Sequence, residues 1–148
     1  MKGIERAALS DLFREKERKL IGNMALNSGA LAINDTAAAT FKTTATINYL
    51  ANGIFKAKTA FTAQAFSEGH TALAIGQTGY FVVCLTSGGT VSTVQGVGAL
   101  PAISDDLTAI GIIKVVAGAE FTPGTTALDA ADIVTTYHNI CMMPTTAP

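Results

Sequence analysis

Residues 79–95 read GYFVVCLTSGGTVSTVQ, and this stretch decides the fold. Gly79 to Thr86 is an almost unbroken apolar run, the pattern of a strand covered on both faces. Ser87-Gly88-Gly89 is a turn signal, and Thr90 to Gln95 returns as the second arm of a hairpin. Gly96 and Gly98 break the pattern, and Pro101 lies in a loop leading to Asp105-Asp106. Further strands are predicted at Ala72–Ile75, Ile110–Val116 and Ile133–Ile140. Thr122-Pro123-Gly124 reads as a turn, because proline presets its dihedral and glycine accepts a positive one. Short strands at this spacing predict a mainly β chain. The expected architecture is an antiparallel sandwich or barrel of about 7–9 short strands, not a parallel α/β sheet.

A second hairpin lies upstream, in FKTTATINYLANGIFKAK at residues 41–58. Phe41, Ala45, Ile47 and Tyr49 fall on one face of a period-2 pattern, and Lys42, Thr44, Thr46 and Asn48 on the other. Asn52-Gly53 marks the turn. A two-residue Asn-Gly loop would set Tyr49 opposite Lys56 and Ile47 opposite Lys58. A three-residue loop, Ala51-Asn52-Gly53, pairs Tyr49 with Phe55 and Ile47 with Ala57, with Gly53 in the left-handed position of a bulged turn. Matching apolar with apolar favours the second register, since a one-residue slip moves every side chain to the wrong face.

Residues 1–24 are different in kind. Ile4, Ala8, Leu9, Leu12, Phe13, Leu20 and Ile21 recur at three- and four-residue spacing, which predicts one N-terminal α-helix with a charged opposite face. Glu5 and Asp11 sit toward its start and Lys16, Arg18 and Lys19 toward its end, complementing the helix dipole. Gly22-Asn23 supplies a C-cap. Two roles stay open for this helix, packing on its own domain or serving as an arm that docks on a neighbour. The chain then divides into a charged amphipathic helix or arm (1–24), a β domain (25–143) and a frayed tail (144–148).

Ten of the 21 charged side chains lie in residues 1–20, and the other 128 residues share eleven. Ala, Thr and Gly, which number 25, 20 and 14 in the whole chain, dominate the rest. A free domain of this size usually carries a surface about 25–35% charged. Either the surface is a neutral, Thr- and Asn-rich one, or much of it is covered by other copies or other proteins. At 49% hydrophobic residues the composition excludes disorder, and a net charge of −1 argues against a nucleic-acid partner. No run approaches the 18 apolar residues of a membrane span, and the N-terminus lacks the apolar core of a signal peptide. Cys84 and Cys141, far apart in such a chain, are expected as reduced, buried thiols.

Residues that carry chemistry are sparse. His70 and His138 are the only histidines, and neither has a second ligand at metal spacing. Asp105-Asp106 reads as a solvated turn rather than an acid/base couple. Ser87-Gly88-Gly89-Thr90 joins two strands instead of opening a helix, so it is a poor phosphate cradle. Lys56 and Lys58 share one strand face and suit either contact with an anionic partner or protection of an edge against aggregation. No catalytic, cofactor-binding or metal-binding residue is assigned, and no enzyme is expected.

The segments TALAIGQTGYFVV (71–83), GTVSTVQG (89–96), IGIIKVV (110–116) and FTPGTTAL (121–128) resemble small virion proteins of tailed bacteriophages. The Ile47-Asn48-Tyr49, Asn52-Gly53 and Lys56 hairpin fits the same picture. The similarity runs over roughly residues 40–140 and consists of texture and phrase order, with no functional motif to carry over. It resembles the capsid decoration, or cement, proteins in particular. That resemblance implies binding to the major capsid protein on the outer face of the shell, commonly as a homotrimer. It also implies a virion location after synthesis in the host cytoplasm. Two other readings fit the composition: a phage tail or fibre component that binds a host surface, and a cytosolic β barrel with a small apolar ligand.

Overall fold

The computed structural model describes residues 22–141. The helix expected over 1–24 and the tail expected over 144–148 therefore lie outside the described residues, except for Gly22 to Met24. The rest is mainly β, with nine strands. They are β1 (Met24–Ala25), β2 (Leu31–Ile33), β3 (Phe41–Thr43), β4 (Ile47–Ala51), β5 (Ile54–Lys58), β6 (Thr78–Thr86), β7 (Val91–Val97), β8 (Leu107–Ala117) and β9 (Ile133–Asn139). All pairings are antiparallel, in a four-stranded sheet of order β7-β6-β8-β9, a three-stranded sheet β1-β4-β5 and the pair β2-β3.

The apolar run at 79–86 is the centre of this arrangement. Phe81 to Leu85 are all buried. Phe81, Val83 and Leu85 enter the main core with Ile113 and Val115 of β8, while Val82 and Cys84 are buried on the opposite face of the sheet. The cover for that second face follows from topology. Strands β7 and β8 both run antiparallel to β6, so they are parallel to each other. The chain must then travel back along the sheet between Val97 and Leu107. It crosses the face that carries Val82, Cys84 and Gly96. A Cβ at Gly96 would lie 2.2 Å from the Ala99 carbonyl oxygen and 2.8 Å from the Pro101 nitrogen, so only glycine admits so close a pass. The glycine expected to end β7 instead lies within it and makes room for the crossover.

One core joins the three sheets. Phe41, Ile47, Tyr49, Leu73, Phe81, Ile113, Phe121 and Leu128 are among its buried members. Phe66 stands at the middle, with ring centroids 5.4 Å from Phe41, 4.8 Å from Phe81 and 6.5 Å from Phe121. Truncating one of these rings to alanine would remove about 3–5 kcal/mol. A register shift between Val83 and Cys84 lets Ile110 turn inward, where it is 2% exposed.

Neutral amides tie the sheets and loops together. Asn27 Nδ2 donates to Thr46 O at 2.8 Å, and Asn48 N donates to Asn27 Oδ1 at 2.6 Å. Thr71 N donates to Gln95 Oε1 at 2.6 Å, and Gln95 Nε2 returns a bond to Thr71 O at 2.7 Å. Leu31 N donates to Asn139 Oδ1 at 2.9 Å, joining β2 to β9. Each amide stands in for a peptide group where a strand ladder stops, which satisfies backbone groups without using charge.

The β6–β7 hairpin closes as expected: Gly89 N donates to Thr86 O at 2.9 Å, and Thr86 N to Thr90 O at 3.0 Å. Three expectations are corrected. The 41–58 hairpin uses the two-residue loop, with Ala51 opposite Ile54, Tyr49 opposite Lys56 and Ile47 opposite Lys58. Asn52 and Gly53 have φ of 51° and 72°, the double left-handed turn that matches strand twist. The register tolerates Lys56 and Lys58 beside core residues because β5 is an edge strand, where their stems can lie on apolar surface with the ammonium in water. Second, residues 41–49 are two strands rather than one. Thr44 and Ala45 both donate to Gly29 O, which bends the chain between β3 and β4. Third, Ala72–Ile75 is no strand but a single bridge from Leu73 to Phe121.

Candidate functional site

The corrected hairpin register builds a basic groove on the surface of the body. Lys56 and Lys58 lie on the same face of β5 and line a groove of about 290 Å3 with Tyr49 and the Ser87-Gly88-Gly89 turn. Gly89 sits against the Tyr49 hydroxyl and the Lys58 stem; a Cβ there would be 3.5 Å and 3.9 Å from them. The Tyr49 hydroxyl donates to Thr86 O at 3.4 Å, and burial raises its pKa, which keeps the phenol protonated. Among the described residues, neither Lys56 nor Lys58 has an ion-pair or hydrogen-bond partner. Lys42, by contrast, donates to Asn34 O at 2.8 Å.

The paired carboxylates lie elsewhere. Leu107 N donates to Ser104 O at 3.0 Å, closing a turn with Asp105 and Asp106 at its two corners. Both side chains are exposed. Asn23 anchors the turn: its Nδ2 donates to Asp105 O, and its Oδ1 accepts Asn52 N at 2.5 Å.

The two histidines are not brought together. His70 packs against Phe66 and Phe81, with its Nε2 2.7 Å from the Thr93 hydroxyl. His138 is exposed on β9, opposite Ile112. Among the described residues, no group of three or more His, Cys, Asp or Glu is placed to hold a metal ion. Cys84 is wholly buried, and no disulfide links it to Cys141. No helix among the described residues is long and apolar enough to cross a membrane.

Apolar exposure is the larger surface signal. Phe55 is 63% exposed, Ile75 73%, Leu100 59% and Val134 62%, with Ile54 and Val97 also open. Met24, Leu50 and Phe55 are directly paired across β1, β4 and β5, so they form one apolar row on the outer face of that sheet. The sequence reading placed Phe55 on the core face; the Asn-Gly turn, taken at its usual two-residue length, places it here. No protein-family model, curated protein or solved structure matches the chain.

Proposed function

We propose that this chain is a non-enzymatic virion protein of a tailed bacteriophage, a decoration or cement protein that binds the outside of the capsid shell and stabilises it. In this reading it associates with itself as a homotrimer and with the major capsid protein. The observation that carries the proposal is the set of large apolar side chains, Phe55, Ile75, Leu100 and Val134 foremost, left open on a body that has few charges. Among them, Phe55 continues the row of Met24 and Leu50, and contiguous exposed apolar surface marks sites of association, while low charge eases the desolvation that association requires. The phrase-level resemblance of residues 40–140 to phage virion proteins supports the same reading. The four-stranded sheet and the smaller sheets, sharing one core, are read as a sandwich, a rigid unit suited to clamping neighbouring subunits. The Phe41, Phe66, Phe81 and Phe121 rings occupy the middle of that core, which weighs against a chamber for a small apolar ligand.

The test is to compare capsids with and without the protein. Capsids lacking it should lose heat or osmotic resistance, and purified protein added back should restore it. Unchanged resistance would refute the cement role. Light scattering of the purified chain should give a mass near three times 15.2 kDa.

A further inference from the structure

Among the described residues, two unpartnered charge pairs fit one another but are held apart within a single chain. Lys56 and Lys58 are two residues apart on β5, so their Cα atoms are about 7 Å apart. They border a groove whose lining contains no acidic side chain. Among the described residues, strand β5 pairs only with β4. Asp105 and Asp106 occupy the corners of a hydrogen-bonded turn and are exposed, so two adjacent carboxylates face solvent there. Among the described residues neither pair has a side-chain partner.

The turn does not reach the groove of its own chain. Asn23 ties Asp105 to Asn52, at the tip of the β4–β5 hairpin. The groove lies toward the other end of β5, beside the Ser87-Gly88-Gly89 turn. From Ile54 to Lys58 the strand spans about 14 Å. Direct pairing of two β5 edges is also disfavoured, because the symmetric register sets Lys56 against its own copy, and like charges directly opposite are destabilising.

We infer that the Asp105-Asp106 turn of one copy docks in the Lys56/Lys58 groove of a second copy. The inference rests on the self-association in the reading above and names its contact. Such a contact joins two different patches, so it is heterologous and closes into a ring when the rotation permits. The apolar surface would supply contact area, and the charge pairs would set register and speed encounter.

The test is reversal of charge in the full chain, read by light scattering across a concentration series at low and high salt. Lys56→Glu with Lys58→Glu should weaken self-association about tenfold or more, and Asp105→Lys with Asp106→Lys should do the same. A chain carrying all four substitutions should recover the oligomer, since the pairing is restored with its signs exchanged. High salt should weaken the native contact. Lys56→Gln with Lys58→Gln should be intermediate, and circular dichroism confirms that each variant keeps its β fold. An oligomer indifferent to both reversals, or not recovered by all four changes, would overturn the contact and leave the cement reading standing. A native chain that stays monomeric at every concentration would overturn both the contact and the homotrimer, and capsid resistance would then judge the cement role alone.

Discussion

The Thr93 hydroxyl lies 2.7 Å from His70 Nε2 and also accepts the Ser67 amide at 2.8 Å. Having accepted from Ser67, the hydroxyl keeps its own proton and a second lone pair, so it can pair with either tautomer of the His70 ring. Thr93 N in turn donates to Ser67 Oγ at 2.8 Å. His70 and the segment around it are thereby clasped onto β7, with the ring meeting Phe66 edge-on and Phe81 at a tilt.

Burial of the His70 ring makes stability depend on pH in a defined direction. Burial lowers the His70 pKa below its ordinary value, so the unfolded chain binds its proton more readily than the folded one. Stability is then fully present above about pH 6.5 and is lost as pH falls through the lowered folded value. Urea unfolding between pH 7.5 and 5 should show this decline, and His70→Gln should flatten it. Parallel pH profiles for the two proteins would remove His70 as the cause.

The crossover at Gly96 gives a second expectation. A methyl group there meets two backbone atoms, the Ala99 oxygen and the Pro101 nitrogen, and neither can rotate away. Gly96→Ala should therefore destabilise by about 1–3 kcal/mol through displacement of the 98–106 segment. The denaturant midpoint should fall with an unchanged slope. A midpoint equal to that of the native chain would mean that the crossover does not press on β7.

Cys84 should be chemically silent in the folded protein. It is fully covered, and burial pushes its thiol pKa up to about 11. At pH 8 almost none of it is thiolate, the form that reacts. Alkylation followed by peptide mapping should label Cys84 only after denaturation. Native labelling at a rate near that of an unfolded peptide would show that the crossover opens readily.

The parts of this fold that could be read from sequence are those set by local chemistry. The 79–95 hairpin was legible because its own turn and its own apolar run specify it, and Thr122-Pro123-Gly124 likewise closes where it should, with Thr125 N donating to Thr122 O at 3.1 Å. The 41–58 register departs from apolar matching because that matching assumes both strands face the core. Only β4 does; β5 is an edge, and there the backbone preference of Asn52-Gly53 outweighs the apolar matching of Tyr49 with Phe55. The groove was illegible for another reason. Lys56 and Lys58 meet the Ser87-Gly88-Gly89 turn across a long stretch of intervening chain, and nothing local records that meeting. The break at Thr44–Thr46 depends in the same way on a distant acceptor, Gly29 O.

Phe55 separates folding from association. The residue is 63% exposed, at the end of the row that begins with Met24 and Leu50, so it adds little to the core. Phe55→Ser should leave unfolding free energy within about 0.5 kcal/mol of the native value, as exposed substitutions generally do. If the row is an interface, the same change removes a large aromatic anchor and should weaken association by about 2 kcal/mol, near thirtyfold. Denaturant titration at low concentration and light scattering across a concentration series measure the two quantities independently. A loss of stability without a change in association would place Phe55 in the packing of β5 and remove the row from the interface. Intact stability with weakened association would assign the exposed face of β1-β4-β5 to contact between chains.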